Sequence, residues 1–334
     1  MIAALKSLPP LTPNLTSLNS LLSSQLSEIN ECILEKMQSP VTLIPQIAGY
    51  LVSLGGKRLR PLLTVAAAEL CGYKGKRHIQ LAACVEFIHT ATLLHDDVVD
   101  ESILRRGQDT ANALWSNKAS VLVGDFLFSR AFELMVLDGS LDILQILSQA
   151  SSSIAEGEVL QLSSSHNLNL NEETYLKIIG SKTACLFSAA TEVGALVAGA
   201  DESKRKALSR FGYSLGLAFQ LMDDILDYAA DQEKLGKTIG DDFREGKVTL
   251  PIILAYQQGI DCEFWEEAFH NGVRDNNALT HAIHLLKESG ALLKTKHTAQ
   301  VFIEEALECL TVFSECPLKI ALEDLAHFSL YREA

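Results

Sequence analysis

Two stretches of the chain bring carboxylates together beside apolar residues: LLHDDVVDESILRRG, from Leu93 to Gly107, and QLMDDILDY, from Gln220 to Tyr228. On a helix Asp96 and Asp100 stand four residues apart and share a face, with Asp97 about 100° round from Asp96. Asp223, Asp224 and Asp227 repeat that geometry. Like charges at this spacing cost a helix ~0.2 to 0.5 kcal/mol per pair, so a cationic partner is implied. Hard oxygen ligands with no supporting cysteine or cysteine-histidine cluster suit Mg²⁺, which takes one or two carboxylates and completes its octahedron with waters and substrate phosphates. Two such faces would hold a cluster of Mg²⁺ around a diphosphate. A lone Asp-Asp-x-x-Asp is more often a pair of solvated helix ends; two copies with the same apolar neighbours are much harder to reach by chance. An EF-hand is excluded, because neither copy has alternating acidic positions followed by the turn glycine.

Phosphate chemistry also needs cations. GGKRLRP at Gly55 to Pro61, Arg105-Arg106, Ser181-Lys182-Thr183, Lys237 and Lys247 offer them. Each lysine alone reads as solvated surface. That reading is weakest for Lys57, Arg58 and Arg60, which crowd a Gly-Gly turn where like charges repel unless an anion sits there. Gly236-Lys237-Thr238 imitates the tail of a P-loop, but Asp231 stands where the earlier glycine must be, so nucleotide binding by that motif is rejected. His89 lies seven residues before Asp96, on nearly the same helix face. An isolated helical histidine is more often structural; its company here favours a functional one. Together these residues describe metal-assisted departure of diphosphate from a greasy substrate whose other end lies against dry, apolar walls.

These groups must be positioned by helices. Leu15, Leu18, Leu22, Leu26, Ile29, Ile33 and Met37 recur at helical spacing behind Thr12-Pro13, predicting one amphipathic helix. Similar patterns predict helices over 59–71, 79–97, 119–137, 141–162, 172–198, 203–228, 248–258 and 281–312. Strand-like alternation is almost absent, so the fold class is all-α. ACLFSAATEVGALVAGA, residues 184–200, is apolar nearly all round, as at the centre of a large bundle. Breaks are expected at 72–76, 163–171, 229–247 and 270–277, the third glycine-rich and charged directly after the second aspartate cluster, as suits a loop that moves over a site.

With 334 residues, 48% of them apolar, the chain can bury a large core, and a formal charge of -14 opposes nucleic-acid binding. Seven scattered cysteines without a Cys-x-x-Cys pair favour a reducing compartment. Apolar runs are interrupted by Asp125, Arg130, Glu133 or Glu192 before they reach a bilayer-spanning length, and MIAALKSLPPLTPN makes a poor signal peptide, so a cytoplasmic protein is expected.

FIHTATLLHDDVVDESILRRG, GGKRLRP, VGDF, SKTA, FQLMDDILDY and GDDFREGKVTLP, in this order and spacing, resemble the motifs of the trans-isoprenyl diphosphate synthases, and most closely their bacterial long-chain branch. The resemblance implies a single domain over 1–334, a helical bundle of the isoprenoid synthase type with a central apolar cavity, in which 1–13 are flexible and 229–247 mobile. It implies ionisation, condensation and elimination: Mg²⁺, as a cluster of two or three ions on Asp96, Asp100 and Asp223 with Asp97, Asp224 and Asp227 in support, draws diphosphate from an allylic substrate. Lys57, Arg60, His89 and Arg106 then correspond to the isopentenyl diphosphate site, and Arg105, Lys182, Lys237 and Lys247 to the allylic diphosphate site. Thr183 and Gln220 would stabilise the cation through oriented dipoles. Small residues at Ala91 and Thr92 imply a long-chain product, taken as octaprenyl diphosphate for quinone tails and built on farnesyl diphosphate; geranylgeranyl, solanesyl and decaprenyl products are the alternatives. A homodimer, with transient membrane contact for product release, is expected. A class I terpene cyclase would replace the second aspartate cluster with an Asn/Ser/Glu motif, and a non-catalytic subunit would have lost ligands; Asp223 to Asp227 disfavours both.

Overall fold

A computed structural model describes residues 16–54, 56–105, 107–229 and 239–331. Its helices are α1 (Thr16–Leu21), α2 (Ser23–Lys36), α3 (Leu43–Ser53), α4 (Leu59–Leu70), α5 (Arg77–Val99), α6 (Ala111–Leu114), α7 (Asn117–Asp138), α8 (Leu141–Ser164) and α9 (Glu172–Ile179). There follow α10 (Cys185–Val197), α11 (Glu202–Ala229), α12 (Asp241–Glu245), α13 (Leu250–Gln257), α14 (Cys262–His270), α15 (Asn276–Glu288), α16 (Ala291–Cys309) and α17 (Pro317–Tyr331). Among the described residues the only strands are β1 (Leu104–Arg105) and β2 (Gln108–Asp109), an antiparallel pair with Arg105 opposite Gln108. The all-α expectation holds.

The packing follows from which helices are apolar all round. α10 buries Leu186, Phe187, Ala189, Ala190, Val193 and Ala195, and packs against α4, α8 and α11. α5 lies against α4 and α7, and α11 against α16. Each large side chain so buried stabilises the fold by ~1.5–3 kcal/mol relative to exposure. Small residues bring backbones together where the site is built. A Cβ on Gly157 of α8 would stand 2.8 Å from the Lys182 nitrogen, and one on Gly216 of α11 would stand 2.6 Å from the Ala184 Cα.

Several boundaries differ from the sequence expectation. The N-terminal helix is read as α1 and α2, yet its ladder continues through Leu22, whose nitrogen bonds Leu18 O at 3.0 Å. Residues 172–198 are one helical rod with a π-helical turn, Gly180–Ala184, inserted between α9 and α10. The span 281–312 breaks at Gly290, whose φ of +66 is open to glycine, so α15 and α16 turn against each other. α3, α14 and α17 were not anticipated. The expected flexible segment 1–13 and residues 230–238 of the expected mobile loop lie outside the described residues; residues 241–245 of that loop are the helix α12 rather than irregular chain.

Candidate active site

The C-terminal ends of α5 and α11 face one another across a cavity of about 710 Å³. α5 presents Glu86, His89, Leu93, Asp96 and Asp100 to it, spaced by three and four residues as one helical face requires. Asp223, Asp224 and Asp227 line the opposite wall from α11, and Ile154, Phe187 and Phe219 supply apolar surface. The lining holds ten acidic side chains against six basic ones, so an anionic diphosphate would enter only with cations beside it.

At the first cluster, Asp97 is 1% exposed and is not on the cavity wall. Its carboxylate accepts from Arg105 Nη2 at 2.6 Å and Nε at 2.9 Å. Asp97 therefore stands behind the site and fixes Arg105 at the end of β1, rather than facing the cavity with Asp96. Asp100 accepts from Lys247 Nζ at 2.8 Å, and Glu245 takes the same ammonium at 2.6 Å. Burial works against the Lys247 charge, but Asp242, Asp100 and Glu245 outweigh it and hold its pKa well above that of an ordinary lysine. Burial, opposed by Lys182 and reinforced by Glu158 and Asp100, pushes Asp96 up to about 7.

The second cluster is held by neutral groups. Tyr175 donates its hydroxyl to Asp224 Oδ2 at 2.5 Å, and Gln220 Nε2 donates to Oδ1 at 2.8 Å. Thr183 donates to Gln220 Oε1 at 2.9 Å, so Thr183, Gln220, Asp224 and Tyr175 form one chain of hydrogen bonds. Burial and the nearby Asp242, against the bonds from Tyr175 and Gln220, push Asp224 up to about 8. Asp227 caps α12: its carboxylate accepts from the Asp241 and Asp242 nitrogens at 3.2 and 3.1 Å. Asp223 is exposed on the wall.

Of the expected cations, Lys182 sits in the π-helical turn, a feature frequent at functional sites, and donates to Glu158 Oε2 and Gln161 Oε1, both at 2.8 Å. Also on the cavity wall, Arg60 Nη1 lies 3.1 Å from His89 Nε2, and its guanidinium stacks 4.4 Å over the Phe187 ring. Burial pulls its pKa down to about 10 against the opposing charge of Glu86. Lys57 lies 5.0 Å over Phe328. Arg58 is paired with Glu86, so one of the three cations crowding the Gly-Gly turn already has its anion inside the protein. Arg58 also has φ of 46, a left-handed conformation that costs an L-residue roughly 1–2 kcal/mol. Arg106 and Lys237 lie outside the described residues.

Thr92 lines the cavity, whereas Ala91, beside it on α5, has no accessible surface and is not on the wall. Sequence reasoning missed Tyr175, Glu158, Gln161 and Glu86. Glu86 had a signal, as a single acid inside the apolar run AACVEFI on the face that leads to Asp96.

Among the described residues no three histidine, cysteine, aspartate or glutamate side chains close into a metal cage. The donor set is open carboxylates on two facing helices, which fits Mg²⁺, an ion that binds through one or two carboxylates and leaves positions for waters and phosphate.

The polyprenyl synthetase family model matches residues 41–286. Octaprenyl diphosphate synthase of Escherichia coli K12 is 45% identical over 322 residues, 96% of this chain and 99% of that protein. The all-trans-nonaprenyl-diphosphate synthase (geranyl-diphosphate specific) of Rhodobacter capsulatus is 44% identical, over 93% of this chain and 95% of that one. The polyprenyl synthase of Caulobacter crescentus CB15, crystallised with calcium and isoprenyl diphosphate, superposes with a TM-score of 0.95 at 50% identity, covering 98% of this chain and 100% of the other.

Proposed function

The chain belongs to the polyprenyl synthetase family and is a prenyltransferase that makes long-chain all-trans polyprenyl diphosphates, and from that premise we propose how its cavity divides the work. The observation that carries the reading is that one cavity is lined both by carboxylates from two helices and by the Arg60–His89 pair. Asp96, Asp100 and Asp223 would hold Mg²⁺, as two or three ions, which when bound would supply positive charge to the departing allylic diphosphate. Asp97 acts from behind the wall through Arg105, while Asp224 and Asp227, on the wall, act in support through Gln220 and α12. The calcium and isoprenyl diphosphate of the Caulobacter crescentus neighbour support a divalent-metal site.

Lys182, Lys247 and Arg105, with Lys237, bind the allylic diphosphate; Lys57, Arg60 and His89, with Arg106, bind isopentenyl diphosphate. As the allylic C–O bond breaks, its electron pair goes to the departing diphosphate. The π pair of the isopentenyl double bond then forms the new carbon–carbon bond to the allylic C1, and a proton from isopentenyl C2 passes to the released diphosphate. Thr183 and Gln220, oriented by the chain of bonds that ends at Tyr175, set their oxygen dipoles beside the cation.

The product is octaprenyl diphosphate for quinone side chains, grown from farnesyl diphosphate, with Ala91 and Thr92 of α5 governing its length. The exposed apolar residues Leu122, Phe132, Val136, Leu137 and Leu141 on α7 and at the start of α8 support a homodimer closed over that face. Among the described residues no helix is long and apolar enough to cross a membrane, which suits a cytoplasmic enzyme that meets the membrane only to release its product. Incubating the purified protein with farnesyl diphosphate, isopentenyl diphosphate and Mg²⁺ and sizing the product tests the reading: a short or cyclised product overturns the octaprenyl assignment.

A further inference from the structure

The three cations around the start of α4 keep different company. Lys57 lies over Phe328, and Arg60 is packed between His89 and Phe187. Arg58, in its left-handed turn, reaches instead to α5 and pairs with Glu86, the two side chains only 13% and 8% exposed. Both members of that pair line the cavity. Glu86 stands one helical turn before His89 on the same face, so it shares its surroundings with Arg60, and its negative charge acts on the Arg60 guanidinium. Arg60 also has a buried Nε with no hydrogen-bond partner, a donor able to serve an anion.

The arrangement poses a competition. A carboxylate at the position of Glu86, if left unpaired, would draw the nearest guanidinium to itself and repel an incoming diphosphate. We propose that Arg58 is a positioning residue: it occupies the Glu86 carboxylate and so leaves Arg60 available to isopentenyl diphosphate. Arg58 then holds no substrate, although its sequence context places it among the phosphate-binding cations. The proposal rests on the reading of Lys57, Arg60 and His89 as the isopentenyl diphosphate site.

The test measures KM for isopentenyl diphosphate at saturating farnesyl diphosphate and Mg²⁺, and KM for farnesyl diphosphate separately, in Arg58→Met, Glu86→Gln, the double variant and Arg60→Ala. Arg58→Met uncovers Glu86 and is expected to raise KM for isopentenyl diphosphate roughly tenfold or more, the weight of a charge-assisted hydrogen bond, while KM for farnesyl diphosphate changes by less than about threefold. Adding Glu86→Gln removes the competitor and is expected to bring KM back to within about threefold of the parent. A double variant as impaired as Arg58→Met overturns the proposal, since Arg58 would then hold the substrate or merely brace the turn; so does an Arg58→Met enzyme with parental KM. If Arg58→Met does not fold, the double variant decides alone, because it buries no unpaired charge: a parental KM supports the proposal and a raised one overturns it. Arg60→Ala with an unchanged KM for isopentenyl diphosphate removes the site reading itself, an outcome distinct from failure of the rescue.

Discussion

At the end of α5 the aspartates are held by cations, Asp97 by Arg105 and Asp100 by Lys247; at the end of α11 they are held by a phenol, an amide and backbone N–H groups. The two clusters have the same spacing, so the difference comes from what surrounds them. Cations that hold Asp97 and Asp100 are ones a diphosphate would also attract, and they can exchange one anion for another. The donors to Asp224 and Asp227 have no such alternative and keep those carboxylates where folding puts them. The α5 cluster is therefore built to respond to substrate and the α11 cluster to stay fixed.

The largest effect is expected where that contrast is sharpest. Arg105→Met strands Asp97, a carboxylate with almost no access to water, and breaking such a buried pair costs ~3–5 kcal/mol. Tyr175→Phe removes one neutral donor from Asp224 and should cost ~1–3 kcal/mol. Chemical denaturation of the two variants compares them directly. Equal losses would mean that the two clusters are braced alike.

Catalysis gives the next test. Asp223→Ala, on the wall, and Asp97→Ala, behind it, should each lower turnover by ~10² to 10³ with helicity retained by circular dichroism. EDTA in excess should abolish activity. Near-normal turnover in either variant, or activity that survives EDTA, removes the metal-cluster reading.

A smaller effect follows from Asp96 and Asp224, whose carboxyls burial raises to about 7 and about 8. Both bind protons more tightly in the folded protein than in the unfolded chain. Their contribution to stability is thus complete below the unfolded pKa and lost as pH rises through the folded values. In EDTA the melting temperature should fall between pH 5 and pH 8. Asp224→Asn, which fills the same space without titrating, should flatten that fall, and an unaltered slope would show that Asp224 does not titrate in this window.

The helices that carry the clusters were legible because α5, α7, α8 and α11 are long and periodic enough for pattern to decide. α3 was not: Pro45, Gln46 and Gly49 interrupt its apolar pattern, and the proline is tolerated only because it falls in the first turn. Gly290 ends a helix that periodicity alone continues. Within the site, residue types and spacing pointed to the carboxylates, Lys182 and the Arg60–His89 face. The pairings were not legible, because Lys247 and Asp100 are 147 positions apart and Arg58 and Glu86 are 28 apart, and only the packing of helices brings them together.

The helices differ once more in the turn ahead of each cluster. Four and five residues before Asp223 stand Phe219 and Ala218; four and five before Asp96 stand Thr92 and Ala91. Phe219 lines the cavity with its ring centroid 5.6 Å from that of Phe187, so α11 already closes its side with an aromatic, whereas α5 leaves its side small. Those α5 positions lie roughly 6 to 7.5 Å along the axis from Asp96, which on the proposed reading is where a growing chain passes. Making α5 resemble α11 should therefore shorten the product. Thr92→Phe adds its ring on the cavity wall and should truncate the chain with little change in melting temperature. Ala91→Phe must find room in packing that leaves no accessible surface, so truncation there should come with ~1–3 kcal/mol of overpacking. Product sizing by thin-layer chromatography beside thermal melts separates the two positions. Full-length product from Thr92→Phe would place the growing chain against another wall, and full-length product or simple unfolding in Ala91→Phe would remove Ala91 from the control of chain length.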